Sequence, residues 1–490
     1  MSDTAVPFRP EARSPRGFQD RRARDLRAER AILTAVSTVY ERYGFEQLDT
    51  PAFEYADALG KFLPDSDRPN EGVFALQDDD EQWMALRYDL TAPLARFAAQ
   101  NWETLAKPFR RYAFGTVWRN EKPGPGRFRE FIQCDADTVG SARPEADAEI
   151  IAMAVEGLEA AGLPRGSAAI KINNRKLLNG LLSAAGVTDG GQKLAVLRAV
   201  DKLDRLGPDG VRLLLGEGRK DESGAFTKGA GLGAKGVESV LAFTAAGAGS
   251  RAETLAKIAD AIGGSAEGDE GLADLARIDA ALKGLGVAED QAMFDPSIVR
   301  GLEYYTGAVF EAELLLETLD DKGERVRFGS IGGGGRYDDL VARFTGERTP
   351  ATGFSFGVSR LASALRAAGR EAASAARGPV VVIAFSEANM ADYFAIAGEL
   401  RAGGIAAEVY LGQSGMKAQM KYADRRMSPA AVIVGDDELA AGTVTVKDLD
   451  LGRELAGKVT DNQAWRNERP GQAVIPRADL VPHIRRILEG

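Results

Sequence analysis

Between Arg110 and Trp118 polar and apolar residues alternate (RRYAFGTVW), and after the turn-forming KPGPG the pattern resumes as RFREFIQCDAD. A period of two is that of a half-buried strand, and proline with glycine between two such runs makes a turn. The stretch from Arg110 to Asp137 therefore predicts an antiparallel hairpin with a loop at its tip. Side chains two apart share a sheet face, so Arg119 and Glu121 project together from the first strand. Arg127, Arg129, Gln133 and Asp137 do so from the second, which crowds one face with charge.

Elsewhere the patterning is mixed. Ile32, Val36, Val39 and Tyr43 recur at helical spacing, with Asp20 placed to cap that helix and Gly44 to stop it; a strand from Phe45 to Phe53 follows and carries Pro51, as edge strands do. LRYDLTAPLARF sets Arg87, Asp89 and Thr91 on alternate positions ahead of an apolar stretch, where Asp89 and Thr91 serve equally as helix caps or ligands. Lys171 to about Asp290 is rich in Ala, Leu and Gly with charged faces and predicts mostly helix. It contains Gly231-Leu232-Gly233-Ala234-Lys235-Gly236, a formal dinucleotide fingerprint, but no buried strand precedes it, so a flexible loop is expected there. Tyr304 and Tyr305 form a pair of the kind found in strands, one ring inside and one outside, and Gly332 to Gly335 is too short of Gly-Lys-Ser/Thr to be a P-loop. Beyond an alanine-rich helix and linker (Leu361 to Ala376), strands GPVVVIAF, IAAEVYL and AAVIVG alternate with helices at 390–402 and 416–426 and predict a small parallel or mixed α/β domain. Lys417, Lys421, Arg425 and Arg426 give it a modest basic patch, equally compatible with a solvated helix face.

Composition narrows the chemistry. The 490 residues suffice for two or three cores, and 44% hydrophobic with 27% charged content is that of an ordinary globular protein. One cysteine, Cys134, rules out a disulfide framework and any cysteine zinc cluster, which points to a reducing compartment, and no apolar run is long enough to span a bilayer. The arginines near the start are interrupted by Asp3, Glu11, Asp20 and Asp25, unlike a transit peptide, so a cytoplasmic location is expected. A formal charge of −10 disfavours indiscriminate nucleic-acid coating but leaves local basic patches open to RNA. His483 is the sole histidine, which excludes Ser-His-Asp triads and HExxH metalloenzymes. Chemistry must run on Arg, Asp, Glu, Gln, Tyr and the substrate itself.

A sheet face of guanidinium forks and carboxylates suits a polyvalent anion with amine groups or magnesium, as in a nucleoside triphosphate. Taken alone, the hairpin is equally a solvated face with cross-strand salt bridges. Further segments decide. Arg119-Asn120-Glu121 and Arg127-Phe128-Arg129-Glu130-Phe131 resemble motif 2 of the class II aminoacyl-tRNA synthetases, and GFSFGVSRL (353–361) resembles motif 3. IVRGLEYYTGAVFE (298–311) and SIGGGGRYDDL (330–340) resemble the two signatures of the histidyl-tRNA synthetase family, and the four ordered blocks cover most of the chain.

The resemblance implies an α+β class II synthetase catalytic domain, an antiparallel sheet flanked by helices, with an inserted helical domain and a C-terminal α/β anticodon-binding domain. Its segments are expected at 1–170 (motifs 1 and 2), 171–290 (the insert, closing over the tRNA acceptor stem), 291–372 (histidine signatures and motif 3) and 378–490. It implies a homodimer through motif 1, with L-histidine, ATP, Mg2+ and tRNA-His as partners and no membrane. By the same resemblance Arg119 and Arg300 are the catalytic residues and hold the α-phosphate, Arg129 and Arg360 bind ATP with Arg360 at the γ-phosphate, and Glu121 meets the adenine amine or magnesium. Asp89, Thr91 and Gln133 hold the amino-acid backbone, Arg300 reaches its carboxylate, and Asp137 with Tyr304 and Tyr305 recognises the imidazole. Asp89 and Asp137 stand where the family carries glutamate, and Glu303 where it carries aspartate. Two rival readings are a non-catalytic histidine-binding regulator of histidine biosynthesis, expected to lose motif arginines and the C-terminal domain, and a pure tRNA-binding protein, which has no need of Arg300 and Arg360.

Overall fold

Helix α1 (Ala23–Arg42) buries Ile32, Val36 and Val39 as their spacing predicts, but Tyr40 is the fourth buried member and Tyr43 is the half-buried C-cap. Its start lies three residues beyond Asp20: the Arg22 N–H donates to the Asp25 carboxylate at 3.3 Å, so an acid inside the first turn does the capping. Gly44, at φ +78°, ends it in the left-handed region. The expected strand from Phe45 to Phe53 is split. Strand β1 (Glu46–Gln47) is only two residues long, the chain bends at Ala52, and Phe53–Tyr55 joins a separate antiparallel sheet with Trp83–Leu86 and Ala75–Gln77. This is a computed structural model, and it describes residues 9–62, 72–123, 128–220, 224, 226–247, 249–262, 264–299, 304–316, 318–319, 325–326, 329–370, 377–456 and 471–489. Two compact units result, Met1–Ala372 and Ala373–Gly490.

The first unit is built on an eight-stranded sheet. In chain order its strands are β1, β2 (Phe109–Trp118), β3 (Glu130–Val139), β4 (Ala168–Asn174), β5 (Ala292–Phe294), β6 (Ala308–Leu314), β7 (Ser330–Arg336) and β8 (Ala351–Gly357). In space the order is β1-β2-β3-β8-β7-β6-β4-β5. The six central strands are antiparallel to their neighbours, whereas β1 and β5 lie parallel to β2 and β4 at the two edges, so the sheet is mixed. The predicted hairpin is β2 and β3, paired from Phe109↔Val139 to Trp118↔Glu130. One sheet face presents Cys134, Ala136, Phe354 and Phe356 to the core that α1 shares with α2 (Pro144–Ala160). The other face belongs to the site.

The stretch expected as a helical insert begins inside β4, a strand of this sheet. Its helices include α3 (Arg175–Ala184) and α4 (Ala266–Gly284), which pack on each other, α4 also meeting α2, and share buried residues with the sheet core. Gly231–Gly236 is a turn that opens a helix, Ala234–Thr244, and follows a short hairpin of Gly218–Lys220 with Phe226–Lys228, so no dinucleotide-type strand precedes it. The second unit has strands β9 (Val380–Ile383), β10 (Ala407–Val409), β11 (Ala430–Ile433), β12 (Thr443–Asp448) and β13 (Gln472–Pro476), ordered β10-β9-β11-β12-β13. The first three run parallel and the last two antiparallel. All four residues of β9 are buried, as a continuous apolar run on a two-sided central strand requires.

Candidate active site

The register of the sheet fixes which side chains meet on its open face. Across it, one row reads Arg111, Asp137, Gly353, Gly335; the next reads Ala113, Asp135, Ser355, Gly333; a third reads Gly115, Gln133, Gly357. Acids and an amide form a wall along β3, and bare main chain forms the floor beside it. The floor is tight: a Cβ on Gly353 would lie 1.9 Å from Asp137 Oδ1, and one on Gly335 would lie 2.9 Å from the Tyr305 ring. The predicted glycine run is thus a strand, β7, whose odd positions face the site and whose even position Gly332 faces the Phe354 ring.

At one end of the wall Asp137 is deeply buried. The Tyr337 hydroxyl donates to its Oδ1, and Arg111 Nη2 stands 3.0 Å from its Oδ2 as an ion pair without hydrogen-bond alignment. Arg111 is 1% exposed, donates from Nη2 to the Leu90 carbonyl at 2.8 Å, and leaves Nε and Nη1 unpartnered among the described residues. Burial pushes the Asp137 carboxyl above its ordinary range despite Arg111 and Tyr337, which pull it down. Tyr304 bridges Tyr305 and Tyr337, at ring separations of 4.8 and 6.0 Å, and closes this end with aromatic surface.

Further along, Gln133 donates from Nε2 to Ser355 Oγ at 2.8 Å and keeps Oε1 buried without a partner among the described residues. Asp135 is 2% exposed, and its Oδ1 is likewise unpartnered. Burial pushes its carboxyl up to about 8, with Arg111 opposing and Asp137 adding to the shift. Asp89 has both of the roles its position offered. Its Oδ1 accepts the N–H groups of Thr91 (3.1 Å) and Ala92 (2.9 Å) and so caps the helix Thr91–Asn101, while its buried Oδ2 has no partner among the described residues. Burial raises the Asp89 carboxyl; the Ala92 N–H and Arg119 oppose this. Thr91 is buried beside it as the first residue of the helix. Arg87, which alternates with these two, is a strut: it donates to the Thr116 carbonyl at 3.0 Å and the Thr50 carbonyl at 2.6 Å.

Arg119 donates from Nε to the Tyr88 carbonyl at 3.1 Å and lies over the Phe131 ring. It stands just beyond β2, at the same end of the sheet as Gln133 and Gly357, where Arg360 also sits, exposed in the first turn of the helix Val358–Ala367. Arg129 reaches back to main chain: its Nε donates to the Glu121 carbonyl at 2.9 Å, and its stem covers Gly17. Glu121 is exposed next to it. Arg300, Glu303 and Arg127 lie outside the described residues. Sequence reasoning thus placed Asp89, Thr91, Gln133, Asp137, Tyr304 and Tyr305 in one place, with Arg119 coupled to Asp89. It missed Arg111, Asp135, Tyr337 and Ser355. The alternation that selected Gln133 and Asp137 also contains Asp135, and Arg111 is the cross-strand counterpart of Asp137.

Comparison with known proteins agrees with this geometry. The histidyl-tRNA synthetase family model matches residues 17–361, and that of the anticodon binding domain matches 379–465. A histidine–tRNA ligase of Caulobacter vibrioides is 79% identical over 99% of this chain and 98% of that protein, and one of Brucella suis is 55% identical over 100% and 98%. The crystal structure of a histidyl-tRNA synthetase from Nostoc sp. superposes with a TM-score of 0.72 at 29% identity, covering 98% of this chain and 100% of that one. The fold is that of a class II aminoacyl-tRNA synthetase with an appended anticodon-binding domain. Within that class, the chain belongs to the histidyl-tRNA synthetase family.

Proposed function

We propose that the open sheet face joins L-histidine to ATP as histidyl-adenylate, in a chain that is a histidine–tRNA ligase. The observation that carries the site reading is the row of buried acceptors along β3 and at Asp89 that lack partners among the described residues, above a floor built largely of glycine. Buried carboxylates without partners are costly, and a cationic ligand with several N–H donors satisfies them. In this reading Asp89, Thr91 and Gln133 hold the amino-acid backbone, and Asp137 with Tyr304 and Tyr305 takes the imidazole. Asp137 is a residue shorter than glutamate by one methylene, and Arg111 and Tyr337 hold it in place. An analogue lacking either imidazole nitrogen would leave a buried partner unpaired.

Arg119 and Arg300 would flank the α-phosphate as the histidine carboxylate attacks it and pyrophosphate leaves, with cations aimed where charge develops. Arg360 and Arg129 would meet the distal phosphates and the nucleotide, Arg360 from a helix N-terminus that also favours an anion. Among the described residues no cluster of three or more acidic, histidine or cysteine groups stands ready to hold a metal. In this reading magnesium would arrive with the triphosphate, Glu121 adding one oxygen. The second step passes the histidyl group to the terminal adenosine of tRNA-His. The second unit would read the anticodon side; Lys417, Lys421 and Arg425 are exposed there, whereas Arg426 is engaged by Glu408 at 3.0 Å.

A homodimer fits the first unit: Phe53, Tyr55 and Leu76 are exposed on one face of the small three-stranded sheet, a surface suited to a second copy. A cytoplasmic setting fits as well, and among the described residues no helix is long and apolar enough to cross a membrane. The regulatory alternative is not favoured, since the full-length relatives are ligases. Histidine-dependent pyrophosphate exchange tests the reading, and its absence would eliminate the enzyme. Arg300→Ala should abolish exchange and leave the unfolding transition unchanged; full exchange in that variant would refute the role of Arg300.

A further inference from the structure

Asp135 has no assigned role, yet it lies in the middle of the wall. It shares its face with Gln133 and Asp137 and is opposed across the sheet by Ala113 and Ser355. Its surroundings separate it from the imidazole end. Asp137 has its two oxygens facing Tyr337 and Arg111, whereas Asp135 is supported by the Ser355 hydroxyl, the group that also receives the Gln133 amide. The hydrogen bond from Gln133 Nε2–H to Ser355 Oγ runs beside the Asp135 carboxylate, whose charged form the Ser355 hydroxyl favours. It turns the Gln133 amide so that Oε1 is the atom left over. Among the described residues, three buried oxygens then lack partners on this side of the pocket: Asp89 Oδ2, Gln133 Oε1 and Asp135 Oδ1. Asp89 and Asp135 are close enough to perturb each other's charge.

We propose that Asp135 is the third acceptor for the α-ammonium group of the amino acid, completing with Asp89 and Gln133 a three-oxygen cradle that Ser355 holds in shape. The match is one of number and sign: an ammonium group has three N–H donors and no acceptor, and this side offers three acceptors. A purely structural acid would have both oxygens satisfied by the protein, since an unmade bond in the interior has no compensation. The proposal rests on the reading of this face as the histidine site.

The test is calorimetric titration of the full-length chain with three ligands: L-histidine, histidinol, which keeps the ammonium and imidazole but has no carboxylate, and imidazolepropionate, which lacks the ammonium. Asp135→Asn should weaken histidine and histidinol about 10- to 100-fold, the worth of one charged hydrogen bond, and leave imidazolepropionate within about twofold. Ser355→Ala keeps the acid and frees the Gln133 amide; it should weaken the same two ligands by about 3- to 10-fold and serves if the first variant does not fold. In pyrophosphate exchange both variants should raise KM for histidine and not for ATP. Equal losses for all three ligands, or none, would overturn the proposal. Wild-type protein that binds no ligand would instead overturn the site reading itself.

Discussion

The contact between Gly353 and Asp137 turns a single methyl group into a probe of the pocket. A Cβ at position 353 would lie 1.9 Å from Asp137 Oδ1, 2.5 Å from its Cγ and 2.9 Å from the Ala136 carbonyl oxygen, whereas ordinary contact begins at 3.4 Å. In Gly353→Ala the carboxylate must therefore retreat by about 1.5 Å, the difference between 3.4 and 1.9 Å. The Ala136 oxygen is main chain in β3 and cannot move out of the ladder, so the side chain yields. Retreat breaks the Tyr337 hydrogen bond and disturbs the 3.0 Å Arg111 pair. A hydrogen bond to a buried charged group is worth about 1.5–3 kcal/mol, which is roughly 10- to 150-fold in affinity. The expected result is a rise of about that size in KM for histidine in pyrophosphate exchange, with KM for ATP unchanged. Overpacking should also cost about 1–3 kcal/mol of stability in urea unfolding. An unchanged KM for histidine would refute the placement of Asp137 over Gly353, and an equal rise for ATP would show general distortion of the sheet.

Three more outcomes are expected. Arg336 donates to Asp147 from Nε and Nη2 at 3.0 and 2.7 Å and to the Ser141 and Arg143 carbonyls, tying β7 to the start of α2; Arg336→Ala should destabilise the protein by about 3–5 kcal/mol in urea, and a loss below about 1 kcal/mol would contradict that tie. Burial lifts the Asp135 carboxyl from its ordinary 3.8 to about 8, so the ligand-free folded state holds a proton that the unfolded chain has lost. Stability should fall as pH rises between about 4 and about 8, by at most about 1.4 kcal/mol per unit, with Arg111, Asp137, Asp89 and Arg87 as the charges that set the field. Asp135→Asn should flatten that slope, and an unchanged slope would assign the proton elsewhere. Cys134 is fully buried and its thiol is pushed up by burial and by Asp135; it should resist thiol reagents in native protein and react once unfolded, and rapid native labelling would contradict its place in the core.

The hairpin was legible because two alternating runs and a Pro-Gly turn leave few other structures, and its parity put Gln133 and Asp137 on the correct face. What lay beyond parity was register. Arg110 and Arg111 look alike in sequence, but pairing Arg111 with Asp137 buries one of them and leaves the other half-exposed beside Glu149. Asp135 was passed over because a carboxylate two residues from another is more often solvated, and only burial on both sides makes it a site group. The glycine run has no strand signal of its own, glycine being a poor strand former, and neighbours on both edges make it a strand. Asp20 is a good cap by type, yet Asp25 does the work from within the turn.

A binding surface whose base is peptide backbone has few positions at which a substitution can reshape it gradually. At Gly353 and Gly335 the smallest side chain already collides with Asp137 or Tyr305. Adaptation toward a different amino acid would have to come through the side chains along the wall, such as Asp135, Ser355 and Arg111. Those are the places where relatives of this chain that have drifted apart in sequence would be expected to differ.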